Sequence, residues 1–256
     1  MPVPALVVLG AIGLVAVLVA ALLRMERRRQ AARDADLAGD AARRGWRYEA
    51  WRVRGKRTER WQGIAASGPW TADVVEQRRR QQKGPTLRYC RWWNGPPDAP
   101  PPAAGPVILL LGLGDEAAAP FTVSPGGGAI AGALAGAADG ALRIALAMAL
   151  DFRFGPSASL SAFPLRRVDP DRPIVDGYAV LADDPAAAAA RLTPGFVAVV
   201  RQALPPDTWH DGPIRRPWVA LAGDRVAVAG VARREPRAAD VAALVQAGGL
   251  IAQHRG

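Results

Sequence analysis

Six of the eight tryptophans, Trp46, Trp51, Trp61, Trp70, Trp92 and Trp93, lie in the stretch from 46 to 93, interleaved with Arg47, Arg52, Arg54, Lys56, Arg57, Arg60, Arg88 and Arg91. Indole and guanidinium together can do three kinds of work. Tryptophans can fill the core of a sheet while arginines take its wet face, some stacked as cation–π pairs. The two residue types also suit the headgroup zone of a membrane, where tryptophan anchors and arginine meets anionic lipid. They serve single-stranded nucleic acid as well, bases on the rings and phosphates on the cations. The candidate contact residues for lipid or a protein partner are Arg47, Arg52, Arg54, Lys56, Arg57 and Arg60.

Metal and covalent chemistry find less footing. A zinc site needs clustered His, Cys, Asp or Glu, but the two histidines, His210 and His254, and the single Cys90 are far apart in sequence. Ser67, Ser124, Ser157, Ser159 and Ser161 have no G-x-S-x-G context. His210, in "DTWHDGP", reads as a solvated loop histidine, and Cys90 as a buried thiol inside a strand. "GLGDEAAAP" begins like a dinucleotide cradle, yet Asp115 and Glu116 stand where backbone would meet pyrophosphate, and no third glycine follows at the right spacing. Asp169 with Asp171, and Asp183 with Asp184, lie beside prolines, where turns and caps explain them. No catalytic residue, metal or cofactor is expected.

Charge and hydropathy say where the basic tryptophan region sits. From Val3 to Leu23 no side chain is charged or strongly polar. As a helix this stretch is about 31 Å long, near the hydrocarbon thickness of a bilayer. It lacks the polar stripe of a core helix and the basic start and A-x-A-like site of a cleaved signal peptide. It therefore reads as an uncleaved signal-anchor spanning residues 1–23. Arg24, Arg27, Arg28, Arg29 and Arg33 follow it, against Glu26 and Asp34, and no Lys or Arg precedes it. The positive-inside bias puts the N-terminus outside and the remainder in the cytoplasm, at a bacterial inner membrane. A lone cysteine asks for no oxidising compartment.

Only two of the 33 basic residues are lysines, Lys56 and Lys83, which with abundant Ala, Gly and Pro fits the bias of a GC-rich bacterial genome. Such bias acts on the whole chain and leaves the charge distribution unexplained. Residues 24–93 carry 19 basic and 8 acidic side chains, net +11, whereas 94–256 carry 14 and 15, net −1. A basic region next to an anionic leaflet gains about 1 kcal/mol per residue held at the surface.

The elements that must position these side chains can be read in order. Residues 24–44 form a polar helical stalk with little i,i+4 support, capped by Gly45. Residues 45–94 hold four short aromatic and β-branched stretches separated by Arg54-Gly55-Lys56, Ser67-Gly68-Pro69 and Lys83-Gly84-Pro85, an antiparallel meander. In it Trp61, Gly63 and Ala65 share a face, as do Trp70, Ala72 and Val74, and again Leu87, Tyr89, Arg91 and Trp93. Residues 95–106 are a proline-rich linker. Residues 107–256 are an α+β domain opening on the buried strand "VILLLGLG". Residues 125–150 open Gly-rich and then form a buried helix from about Ala137 to Leu150. Asp139 and Arg143 count against a second membrane span, though contact of this segment with the membrane stays open. Asp184-Pro185 and Thr193-Pro194 start two helices, Gly223-Asp224 turns a hairpin with Val219, Leu221, Val226 and Val228 buried, and Val241, Leu244 and Val245 mark the stripe of a closing helix.

The succession of "LADDP", "LTPGF", "ALAGDRVAV" and a closing helix, with the anchor and "AARRGWRYE", resembles a group of bacterial single-pass membrane-anchored proteins of unknown function. The resemblance covers about residues 1–53 and 160–256 and rests on caps, turns and alternation, so it carries no catalytic residue. The expectation is an α+β protein: an N-terminal transmembrane helix, then a cytoplasmic domain of antiparallel sheet and packed helices. Its function reads as non-enzymatic binding of anionic lipid headgroups or a protein partner at the inner leaflet. The alternatives are an enzyme whose site is cryptic or completed by a partner, and a nucleic-acid binder. Oligomeric state is open.

Overall fold

The computed structural model describes residues 3–53, 56–77, 87–97, 106–112, 140–155, 160, 163–168, 178–205, 215–232 and 234–254, with side chains described from Ile12 in the first helix and from Leu146 in the second. The chain opens with α1 (Val3–Arg43), an unbroken helix of 41 residues. The meander follows as β1 (Arg47–Val53), β2 (Lys56–Ala65), β3 (Gly68–Gln77) and β4 (Leu87–Trp93). Then come β5 (Val107–Gly112), α2 (Gly140–Phe154), β6 (Arg166–Arg167), β7 (Tyr178–Ala182), α3 (Pro185–Arg191), α4 (Pro194–Ala203), β8 (Arg215–Ala222), β9 (Arg225–Ala232) and α5 (Ala238–Gln253).

The fold is α+β. Among the described residues the strands pair antiparallel in one nine-stranded sheet of order β1-β2-β3-β4-β9-β8-β5-β7-β6, with β1 and β6 at the edges. The sequence reading divides the chain at the proline-rich stretch 95–106. Here β4 pairs with β9 from Arg88↔Ala232 to Trp93↔Ala227, so one sheet crosses that division. Asn94 locks the junction. Its Oδ1 accepts from the Val226 N–H at 2.6 Å, its Nδ2 donates to the Asp224 carbonyl at 3.2 Å, and its carbonyl accepts from Arg225 at 2.7 Å.

Strand alternation sorts the side chains onto two covered faces. One face carries a cross-strand row of Tyr48, Trp61, Ala72, Trp92, Val228, Val219, Leu110 and Val180. Leu37 and Ala41 of α1, Ala188 of α3, Phe196 and Val200 of α4, and Val241 and Leu244 of α5 pack against it. The other face carries Trp93, Ala227, Ala220, Leu109 and Leu181 under Leu150 and Phe154 of α2. Arg153 of α2 stacks on Trp218 with its guanidinium carbon 4.1 Å from the ring centre. Because both faces are covered, β5 and β7 are buried at every position, which explains an apolar run in β5 with no polar alternation.

Several local devices form as the residue types dictate. The Asp184 carboxylate accepts from the Ala186 and Ala187 N–H groups ahead of α3, and the Thr193 hydroxyl from Phe196 ahead of α4. Gly223, at φ 56°, turns the β8–β9 hairpin, and Val219, Leu221, Val226 and Val228 are all buried. α1 ends at Gly45, φ 72°, with Gly45 N–H donating to the Ala42 carbonyl and Trp46 N–H to the Ala41 carbonyl, the paired bonds of a Schellman stop.

Two expectations about α1 need restating. The stretch 24–44 is no free stalk. Arg33, Leu37 and Ala41 recur every four residues and form a stripe that docks on the sheet, Leu37 and Ala41 being buried. Weighing only pairs within the helix hides that stripe. As for the anchor, no helix among the described residues is long and apolar enough to cross a membrane. The apolar side chains described, Ile12 to Leu23, span about 18 Å, short of the roughly 30 Å of a hydrocarbon core.

The packing of α5 on β4 is tight: a Cβ built on Gly248 would lie 2.1 Å from Cε3 of Trp92. Gly248→Ala is expected to cost about 1–3 kcal/mol through overpacking, and Leu221→Ala about 2–5 kcal/mol through cavity formation. Denaturant unfolding of the full chain checks both; a cost under roughly 0.5 kcal/mol for either, the range of ordinary surface changes, contradicts the packing described.

Candidate functional site

The Schellman stop at Gly45 reverses the chain, so β1 runs back along α1. The Tyr48 hydroxyl donates to Asp34 at 3.0 Å, and Arg52, four residues on, donates to Gln30 at 3.4 Å. The β1–β2 turn therefore lies beside the earlier part of α1, towards its apolar run. The β2–β3 turn, at Ala66 and Ser67, lies at the opposite end of the strands.

This geometry splits the six candidate cations. Arg52 and Lys56 are exposed at the α1-proximal end, joined there by the exposed Arg24, Arg27, Arg28 and Arg29 of α1. Arg54 lies outside the described residues. Arg47 is exposed and pairs with Glu49, but it starts β1 and so stands about 20 Å from Val53 at 3.3 Å per residue. Arg57 is withdrawn onto the face that α1 covers, and Arg60 is engaged by Asp73 on the opposite face. Arg57 follows the turn and is already in β2. Its side chain is 13% exposed.

Arg57 and the neighbouring Glu59 build a buried ion network instead. Glu59, 4% exposed, accepts from Arg57 Nε at 2.8 Å and from both terminal nitrogens of Arg33. Arg57 also reaches Asp34. Arg33 continues to the Pro236 carbonyl at 3.2 Å and Glu235 at 3.5 Å. Helix α1, strand β2 and the approach to α5 are thus tied through one carboxylate. Burial works against the Arg57 charge, but its bonds to Asp34 and Glu59 outweigh that and raise its pKa. Burial first, then the Glu59 and Asp34 charges, hold the Tyr48 phenol well above its usual range.

On the other face Arg60, Asp73 and Arg91 form a cross-strand row. Arg60 donates to both Asp73 oxygens, at 2.7 and 2.9 Å, and lies over Trp51 at 5.0 Å. Arg91 approaches Asp73 only to 3.5 Å, and its buried Nε has no hydrogen-bond partner among the described residues. Burial lowers the Arg91 pKa, partly offset by Asp73.

The tryptophans of this region divide likewise. Trp61, Trp70, Trp92 and Trp93 are buried and present no face on which a base could stack. Trp46 packs edge-on to Trp70 with ring centres 5.1 Å apart.

The chain matches no protein-family model, no curated protein and no solved structure. The resemblance drawn from caps and turns thus brings no residue role with it, and the site rests on its own geometry.

The remaining chemical candidates are structural or lie outside the described residues. Asp183 Oδ1 accepts from the Val107 and Asp184 N–H groups, both at 2.8 Å. Cys90 is buried, and burial, reinforced by Asp240 and Glu59, pushes its thiol up to about 12. His254 ends α5 with Nδ1 3.0 Å from the Leu250 carbonyl. It borders an open groove with Arg191, Thr193, Phe196 and Asp224. His210, Asp169, Asp171, Ser124, Ser157, Ser159, Ser161 and the stretch from Leu113 to Pro120 are outside the described residues. Among the described residues no group of three or more His, Cys, Asp or Glu could hold a metal ion.

The network of Arg33, Asp34, Glu59 and Glu235 was not read from sequence. One signal was there: Glu59 is the only acid in "KRTER", two residues from Trp61 and so on the same buried face. Glu59→Gln should destabilise the chain by about 3–5 kcal/mol, as breaking a buried pair does, whereas Arg47→Gln should change stability by less than about 0.5 kcal/mol. The same unfolding measurement compares them, and equal costs would remove the network from its role as the clamp.

Proposed function

We propose that the chain is a non-enzymatic, membrane-tethered domain that docks on anionic lipid headgroups at the cytoplasmic face. One observation carries the reading. α1 is apolar and exposed right round its circumference from Ile12 to Leu23, becomes basic at Arg24, and is clamped at its far end into a folded domain. Apolar side chains exposed on every side of a helix are unfavourable in water by about 25 cal/mol per Å², and a bilayer removes that penalty on all sides together. With Val3–Ala11 ahead of it in sequence, the run reaches bilayer length. The arginines after it favour the cytoplasmic side.

The clamp also supports headgroup contact. It holds Arg52 and Lys56 at the same end as Arg24, Arg27, Arg28 and Arg29. Cations grouped beside an anionic leaflet each contribute about 1 kcal/mol. A protein partner on the apolar run is the competing occupant, and the tests separate the two.

The chain in isolated membranes should stay with the pellet through alkaline carbonate extraction, and a phosphatase fused after Gly256 should be inactive. Release into the supernatant would sink the tether, and strong periplasmic phosphatase activity would sink the orientation.

Lys56 gives a direct report on headgroups, because lysines are so few. In nanodiscs its modification by an amine-reactive reagent, read by mass spectrometry, should slow about fivefold on anionic relative to neutral lipid, the equivalent of about 1 kcal/mol. High salt should restore the rate as screening shortens. Equal rates on both lipids would leave the basic end to a protein partner.

A further inference from the structure

We propose that the β1–β2 hairpin is a second membrane contact, with Val53 seated in the headgroup layer and Arg52 and Lys56 on lipid phosphates beside it. This inference rests on the tether reading and adds a surface to it. Val53 is 58% exposed at the end of β1, where a turn would ordinarily show a polar residue. Its cross-strand partner is Lys56 and its chain neighbour is Arg52, both exposed. An exposed apolar side chain at a strand end, flanked by cations, is the pattern of a surface that lies in a bilayer interface.

The level of the hairpin follows from its contacts with α1. Arg52 bonds Gln30, which is seven residues beyond Leu23 and so about 10 Å along the helix. Val53 is one strand residue further back, about 3 Å nearer the apolar run. It thus stands roughly 7 Å outside the hydrocarbon, within a headgroup layer of about 5–8 Å per leaflet. Three contacts tie the strands to the helix. Arg57 binds Asp34, Glu59 binds Arg33, and Tyr48 binds Asp34, all within one strand-length of the tip. The cations select the occupant: phosphate oxygens complement Arg52 and Lys56.

The sheet supplies its own control. Ile64, 86% exposed, stands near the β2–β3 turn at the opposite end of β2. Cys90 is buried, with its thiol pushed up to about 12, so an introduced exposed cysteine is the one that takes label. The full chain as Val53→Cys or Ile64→Cys, each carrying an environment-sensitive fluorophore, is reconstituted in vesicles of mixed neutral and anionic phospholipid. Some of these lipids bear nitroxide near the headgroup. The label at 53 should emit at shorter wavelength and be quenched several-fold more than the label at 64. If the chain floats with the vesicles but both labels report water, the hairpin contact is overturned and the tether stands. Stronger quenching at 64 than at 53 overturns it as well. A chain that does not float with vesicles overturns the tether and this contact together.

Discussion

The carboxylate of Glu59 is the point on which the architecture turns. It is almost wholly buried between Arg33 of α1 and Arg57 of its own strand, and a buried charge is tolerated only with partners of opposite sign. Arg33 cannot be there unless α1 lies along β1 and β2. Nor can Arg33 reach Pro236 and Glu235 unless the entry to α5 comes to the same corner. α5 in turn lays Gly248 on Trp92, and Trp92 sits in β4, the strand that joins the meander to β9. Electrostatic satisfaction at one corner and close packing at the centre therefore specify each other.

The two halves of the sheet use different means for the same end. The meander buries bulky indoles and needs small neighbours. Ala72 lies between Trp61 and Trp92, and Gly63 leaves Trp70 room, since a Cβ there would lie 2.6 Å from its ring. The C-terminal half spreads its burial over aliphatic side chains of β5, β7, β8 and β9. Large-against-small pairing in the one and aliphatic layering in the other both reach the close packing that interiors require.

Local chemistry was legible and long-range chemistry was not. The Asp184 and Thr193 caps, the Gly223 turn and the buried face of β8 and β9 are decided within a few residues, and the sequence reading places them. Arg57 shows the limit. Its neighbours in sequence suggest a wet turn, and only the register of β2 against α1 reveals that it faces two carboxylates. The same holds for residues 24–44, where Leu37 and Ala41 look incidental until the sheet they cover is present. The division at residue 95 fails for a similar reason: prolines announce a loop, but not which strands the loop will leave side by side. In the basic region the sequence names the cations but not their surroundings: pairing engages Arg57 and Arg60, and strand direction sets Arg47 apart.

Among the described residues β1 closes one side of the sheet and no strand lies beside its outward N–H and C=O groups, and such an edge invites pairing with another copy. Antiparallel self-pairing of β1 would relate the copies by a twofold axis at right angles to the strand. Because α1 runs along β1 and is fixed to it by Arg33, Asp34 and Tyr48, that axis would point the two α1 helices in opposite directions. One bilayer cannot receive both helices from the same side in that arrangement. Were α1 the tether proposed above, symmetry itself would guard the open edge, because a helix held in one bilayer would forbid the simplest route to sheet-to-sheet aggregation.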